Sequence, residues 1–295
     1  MKLKLRDRVL ELPPGVPALM GIVNATPDSF SDVQGEKPLD ALAARALELA
    51  AAGAAIVDVG GESGRTDRPA VSVDEEATRV VPLVERLAAE GIAVSVDTWR
   101  APVARAALDA GAVLINDVSG LSDPEIAVAC AASGAGLVVT HTRAAPKTRA
   151  YPAYDDVVAD VVALLTERAG VAAESGVGGE QLLLDPGFDI AKTPAESVEL
   201  LRRLPELETL GRPLLLAISR KDFVGALTGR RPRDRDAGTL AAVEPALDAT
   251  VGSVLRVHDV AGVADFLAVR AALRGTADAP TAPLDDALRR ESAPA

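Results

Sequence analysis

Apolar residues run along this chain in short, nearly unbroken blocks, and the blocks end on polar or charged side chains. ALMGIVN ends on Asn24, AAIVD on Asp58, IAVSVD on Asp97, AVLIN on Asn116, GLVVTH on His141 and LLLD on Asp185. LLLAIS ends on Ser219 with Arg220 and Lys221 behind it, and VLRVH on Arg256 and His258. Blocks this short, rich in Val, Ile and Leu and apolar at nearly every position, predict parallel strands buried on both faces. Between them the period changes. From Pro38 to Ala52, Leu39, Leu42, Ala43, Ala46, Leu47 and Ala50 follow the i, i+3, i+4, i+7 spacing of an amphipathic helix that Gly53 stops.

Further helices are predicted from the capping box Ser72-Val-Asp-Glu75 to about Glu90, from Pro102 to Ala110, after Asp123-Pro124, and from Asp155 to Ser175. Others run from Thr193-Pro194-Ala195-Glu196 to about Leu204, from Asp222, from Ala237 to Ala249 with Pro245 bending or dividing it, and from Val260 to Leu273. Eight strands alternating with eight helices predict an α/β protein built as a single (β/α)8 TIM barrel. A doubly wound open sheet would alternate too, but the first strand turn, NATPDSFSD, lacks the glycine-rich phosphate turn of dinucleotide folds. Residues 1–17 read as a lead-in with a small hairpin, 18–274 as the barrel, and 275–295 as a tail of mobile composition.

In such a barrel the polar strand ends all reach one mouth, so they are the candidate chemistry. At 295 residues the chain has room for one large core, and 2% aromatics make that core Ala, Val, Leu and Ile. A net charge of −12 argues against a nucleic-acid partner, which needs a basic face. Cys130 is the only cysteine, which excludes an intrachain disulfide and suits a reducing cytoplasm. The N-terminus has no apolar signal region, and the longest uncharged apolar stretch, Ile126 to Thr140, falls short of the ~20 residues of a spanning helix; no membrane segment is expected.

GIVNATPDSFSD (Gly21 to Asp32), DVGGES (Asp58 to Ser63), SVDTWR, INDVSG, LLLDPGF, ISRK and RVHDV, in this order, resemble the signatures of the dihydropteroate synthase family of pterin-binding barrels, over roughly Ala18 to Leu273. The resemblance implies condensation of 6-hydroxymethyl-7,8-dihydropterin pyrophosphate with p-aminobenzoate, release of pyrophosphate, a Mg²⁺ cofactor and a homodimer. It places the pterin on Asp97, Asn116, Asp185 and Lys221. It places the pyrophosphate on Asn24, Arg65, Arg256 and His258, with Asn24 also on the metal. Asp97 and Asp32 would stabilise a cation at the pterin methylene, and Lys221 joins them as a catalytic residue. The chemistry agrees: a pterin edge offers amide-like donors and acceptors, and a diphosphate needs positive charge.

The resemblance weakens on the p-aminobenzoate side, which it assigns to Ser63, Gly64, Arg65, Phe188, Ile190 and Asp222. The family's S-T-R-P-G is here Ser63-Gly64-Arg65-Thr66-Asp67, its G-F-G/A-K is Asp189-Ile190-Ala191-Lys192, and its small hydroxyl after S-R-K is Asp222. A carboxylate at Asp222 would repel the acceptor's by about 1 kcal/mol in water and about 4 at an effective dielectric of 20. Asp is equally a favoured cap of its own helix. Two alternatives therefore stand beside the synthase: a pterin-binding paralogue without synthase activity, and an enzyme for a different arylamine.

The remaining residues are read plainly. Asp58 orients its neighbours, and His141 is either packing or part of the site. Trp99 is packing. Arg143, Lys147 and Arg149 form a solvated basic loop. Arg230, Arg231, Arg233 and Arg235 form a surface charge run from which Arg235 alone could help bind an acidic substrate.

Overall fold

The computed structural model describes residues 1–25, 39–64, 66–247 and 252–289. The elements in chain order are β1 (Lys2–Leu5), β2 (Arg8–Glu11), β3 (Ala18–Asn24), α1 (Leu39–Ala51), β4 (Ala54–Gly60), α2 (Val73–Ala89), β5 (Val94–Asp97) and α3 (Ala101–Asp109). They continue with β6 (Leu114–Asp117), α4 (Glu125–Ser133), β7 (Gly136–Thr140), α5 (Val157–Glu174), β8 (Leu182–Asp185) and α6 (Pro194–Arg202). The last are β9 (Leu214–Leu216), α7 (Asp222–Thr228), α8 (Asp236–Ala246), β10 (Ser253–Val257), α9 (Val260–Leu273) and α10 (Asp286–Arg289).

Strands β3 to β10 pair in parallel, each with the next, and β10 closes on β3 to complete an eight-stranded barrel. Successive side chains of a strand alternate between the barrel interior and the helix layer. At the N-terminal end the inward column is apolar: Met20, Ile56, Ala93, Leu114, Val138, Leu183, Leu215 and Val254 form one buried cluster. Two residues further along six of these strands the same column turns polar, at Asp58, Ser95, Asn116, Thr140, Asp185 and Arg256, while Ile22 and Ala217 keep it apolar at β3 and β9. Period-two alternation thus yields a packed plug below and a polar mouth above. The antiparallel hairpin β1–β2 caps the plug, with Leu3, Leu5 and Leu12 joining the inner cluster.

The outward residues, among them Val57, Val59, Val94, Ile115, Val139 and Leu184, pack against the helices in the larger cluster. Thr193 and Glu196 form a reciprocal capping box at α6. At α2, Ser72 accepts from the Glu75 amide at 3.1 Å, but the Glu75 carboxylate pairs with Arg79, so only half the expected box forms.

One local expectation needs correction, and two further segments carry short helical turns. The segment beginning near Ala237 is one helix, α8, because Pro245 sits in its last turn, where little backbone hydrogen bonding remains to be lost. The charged stretch before it contains a 3₁₀ turn at Pro232–Asp234. The tail contains a helical turn, α10. Among the described residues no helix is long and apolar enough to cross a membrane.

Candidate active site

The loops at the C-terminal mouth enclose a cavity of about 640 Å³ whose wall includes Asp97, Trp99, Lys147, Ile190, Lys221 and Arg256. Its volume suits a bicyclic ligand with a second small molecule beside it. Of six non-glycine residues with positive φ among those described, Lys147, Asp189, Ala191 and Arg220 line this cavity. Backbone strain held at one place in this way points to a functional site.

Below the cavity are Asn116 and Asp185, 1% and 2% exposed. Asp185 accepts the Gly187 amide at 2.8 Å and the Thr140 hydroxyl at 3.4 Å. Burial raises its pKa, opposed by that amide and by the charges of Lys221 and Lys192. Asn116 donates to Asp58 at 3.2 Å, while its own Oδ1 and Asp58 Oδ1 are buried without a protein partner. Unpaired buried acceptors are costly and rare, and here they mark where a donor-bearing ligand edge fits.

Arg256 joins this floor to the wall. Its Nε donates to Asp58 at 2.7 Å and its Nη2 to Asp97 at 3.0 Å. Asp58 thus orients Arg256. Burial pushes the Asp97 pKa up, Arg256 opposes the rise and Asp58 adds to it, for a value of about 7. The Asp97 side chain is 23% exposed to the cavity, so water moderates the shift without reversing it. His258 bonds Ser219 through Nδ1 at 3.0 Å, and burial, with Arg220 and Arg256 nearby, lowers its pKa to about 4. It is neutral at pH 7, and in the tautomer in which the Ser219 hydroxyl donates to Nδ1 the ring carries its proton on Nε2.

Asn24 ends β3, half-buried, with its Oδ1 3.6 Å from where a side chain on Gly60 would begin. Among the described residues no three His, Cys, Asp or Glu side chains converge. From the described residues a cation here would have the Asn24 amide oxygen, to which ligand oxygens would add, a donor set that fits Mg²⁺, which keeps waters and phosphate oxygens as its main ligands.

The second loop is tied down by residues the sequence left as solvated or incidental. Arg100 bonds Glu62 at 2.8 Å, the Val71 carbonyl at 3.1 Å and Glu76, and it lies 4.3 Å over the Trp99 ring. Trp99 therefore forms cavity wall as well as packing. Lys147 is not a solvated loop lysine: 12% exposed, it donates to the Ser63 carbonyl at 2.8 Å and approaches Glu62 at 3.7 Å, linking the loops after β4 and β7. Arg143 pairs with Asp160, and Arg149 sits beside Tyr151 on the rim.

On the expected p-aminobenzoate side, Gly64, Ile190 and Asp222 line the cavity, and Ser63 gives its carbonyl to Lys147. Phe188 does not line it. Its ring is fully buried in the hydrophobic core, because the turn after Asp185 aims it away from the mouth. Asp222, the first residue of α7, is paired with Arg235 at 3.0 Å. Arg235, expected on the surface, is 11% exposed and also donates to the carbonyls of Arg220, Lys221 and Arg230 at 2.9, 3.1 and 2.9 Å. It locks the strand-end loop that carries Lys221, and it offsets the negative charge of Asp222. Asp32 and Arg65 lie outside the described residues.

His141 belongs to a buried network with Lys192, which sequence reasoning did not single out. Gly187 must be glycine: at φ +72° a side chain would meet the His141 carbonyl at 2.1 Å.

A profile of the pterin binding enzyme family matches residues 20–258. A dihydropteroate synthase of Synechocystis sp. is 40% identical over 259 residues, 86% of this chain and 89% of its own length. A probable bifunctional folylpolyglutamate synthase/dihydropteroate synthase of Haloferax volcanii is 43% identical over 244 residues, 82% of this chain but only 29% of that longer protein. Among solved structures, a Xanthomonas albilineans dihydropteroate synthase with 4-aminobenzoic acid superposes with a TM-score of 0.85 at 43% identity, covering 95% of this chain and 99% of that one. With a family profile matched over most of its length and relatives at this identity over nearly the whole barrel, the chain belongs to the pterin-binding enzymes of the dihydropteroate synthase family.

Proposed function

We propose that the protein condenses 6-hydroxymethyl-7,8-dihydropterin pyrophosphate with p-aminobenzoate to give dihydropteroate and pyrophosphate. The observation that carries this reading is the pair of unpartnered acceptors, Asn116 Oδ1 and Asp58 Oδ1, directly behind Asp97 and Arg256, which line the cavity together with Lys221. A flat heterocycle with several N–H donors would satisfy the floor, and a diphosphate the cations.

In this reading Asp185, Asn116, Asp97 and Lys221 hold the pterin ring. Arg256, neutral His258 through Nε2–H, and Asn24 take the diphosphate, with Arg65 added by the second loop. The methylene carbon–oxygen bond breaks with its electron pair leaving on pyrophosphate. The arylamine nitrogen forms the new bond to that carbon and then gives up a proton. Asp97, with Asp32 of the first loop, opposes the positive charge that develops at the methylene. Mg²⁺, held through Asn24 and the diphosphate, would supply charge neutralisation of the leaving group. Gly64 and Ile190 bound the acceptor, and Ser63 serves through its backbone. Phe188 has no place in that wall.

A cytoplasmic location is compatible with the single buried Cys130 thiol. A homodimer suits the largely apolar α9, whose Val269 and Leu273 are 60% and 83% exposed.

The altered second-substrate side is where this reading is most exposed to test. Because Arg235 already pairs with Asp222, the acceptor's carboxylate meets little net repulsion there. Wild-type kcat/KM is expected to favour p-aminobenzoate over uncharged anilines, and Asp222→Ser to change KM for p-aminobenzoate less than about threefold, within the ~1 kcal/mol of an exposed ion pair. A preference for uncharged anilines that Asp222→Ser reverses would instead establish a retuned acceptor.

A further inference from the structure

The loop after Asp185 is held in place from behind by a lysine that never touches the cavity. Lys192 is 1% exposed. Its Nζ lies 2.7 Å from His141 Nδ1, 3.0 Å from the Gly187 carbonyl and 3.3 Å from the Ile190 carbonyl. An ammonium has three hydrogens and meets three acceptors here. The match fixes the imidazole, since Nδ1 must accept, so Nε2–H donates to Asp160 at 2.8 Å. Asp160 is in turn held by Arg143 at 3.0 and 2.9 Å.

The clamped loop would not hold its shape unaided. Gly187, Asp189 and Ala191 all have positive φ, at 72°, 59° and 51°, two of them without glycine's freedom. Tyr154 donates to the Ala191 carbonyl at 2.9 Å. Asp189 accepts from Ser197 at 2.9 Å and from the Phe223 amide at 3.2 Å, tying the loop to the start of α7. Between these anchors Ile190 faces the cavity.

Resting on the synthase reading above, we propose that Lys192 is a positioning residue for the arylamine: its three-pronged contact with Gly187, Ile190 and His141 sets the loop that presents Ile190 to the acceptor. The clamp needs the protonated amine. Burial lowers the Lys192 pKa to about 7, opposed by Asp185, assisted by Lys221, and opposed again by Asp160 and Glu196. His141, lowered to about 4 by burial and by Lys192, stays neutral throughout the working range. A neutral lysine retains two donors for three acceptors, so the loop loosens as pH rises through about 7.

Steady-state kinetics at saturating pterin pyrophosphate, from pH 6 to 9, test this together with calorimetry of pterin pyrophosphate binding. The wild-type KM for p-aminobenzoate is expected to rise about tenfold between pH 6.5 and 9. Lys192→Met is expected to raise that KM about tenfold at pH 6.5 and to flatten its pH dependence, while the pterin pyrophosphate Kd changes less than threefold. A wild-type KM flat with pH, or equal losses for both substrates in the variant, overturns the proposal, and the first outcome needs no variant to fold. A wild type that never turns over refutes the synthase reading instead. The clamp is then decided by amide exchange in residues 188–191: a variant-to-wild-type rate ratio near ten at pH 6.5, shrinking towards one above pH 8.5, supports it, and a ratio of one at pH 6.5 overturns it.

Discussion

Arg256→Met is expected to cost the protein both stability and nearly all its turnover. The guanidinium is the shared partner of Asp58, which is fully buried, and of Asp97. Methionine preserves much of the volume but leaves Asp58 without a counter-charge on the barrel floor, and stranding one member of a buried ion pair typically costs about 3–5 kcal/mol. Part of that cost is avoided if Asp58 and Asp97 take up protons, since each carboxyl then becomes easier to bury. Protonated Asp97 cannot oppose positive charge at the pterin methylene, and the diphosphate loses its central cation as well. Urea unfolding should therefore show a loss of several kcal/mol, and kcat/KM should fall about a thousandfold or more, at ~1.4 kcal/mol per tenfold. A variant within 1 kcal/mol of wild type and within tenfold of its activity would mean that the Asp58–Arg256–Asp97 arrangement is incidental.

The second large effect is a pH dependence that one carboxyl confers on both activity and stability. Asp97 is raised to about 7, first by burial, with Arg256 opposing and Asp58 adding. Its ionised form is the useful one, so wild-type kcat, with both substrates saturating, should climb as pH passes through about 7 and level off above it. Asp97→Asn should remove that rise and lower the plateau about 100- to 1,000-fold, the usual cost of one electrostatic contact made in the transition state. The sign for stability is the opposite. A folded pKa above the unfolded one means that the native state binds more protons between about 4 and 7. The contribution of Asp97 is then fully present below pH 4 and lost as pH rises through 7. The unfolding free energy of wild type relative to Asp97→Asn should accordingly fall across that window. A kcat profile flat from pH 6 to 8 with both substrates saturating would contradict the assigned role.

The barrel was legible in the sequence because its strands are buried on both faces, which leaves runs such as ALMGIVN and LLLD with no polar position until the mouth. Strand order then needed only chain order, and the polar column above the plug followed from period two. Thr193 and Glu196 announced their helix because a capping box is local. Longer-range contacts stayed hidden. Nothing near Lys147 in the sequence indicates that its ammonium folds onto Ser63, or that Arg235 turns inward to carbonyls 14 and 15 residues earlier. Such pairings arise only once neighbouring loops converge on one mouth. Phe188 misled for a related reason, since its distance in sequence from Asp185 says little about which way a turn with positive φ at Gly187, Asp189 and Ala191 will aim it. Lys192 and His141 had one available signal: each follows one of two adjacent strands, β7 and β8, by a short connection. The departures around Ile190 and Asp222 marked where the wall differs. Only the geometry revealed that Arg235 offsets the added charge.

The most direct test is a reaction balance on the wild-type protein supplied with 6-hydroxymethyl-7,8-dihydropterin pyrophosphate, Mg²⁺ and p-aminobenzoate. One pyrophosphate should appear for each dihydropteroate, detected by mass, with neither product accumulating when the arylamine is left out. Pterin pyrophosphate that binds in the same cavity, yet gives neither product at high enzyme concentration with p-aminobenzoate present, would contradict the proposed synthase and leave a pterin-binding protein in its place.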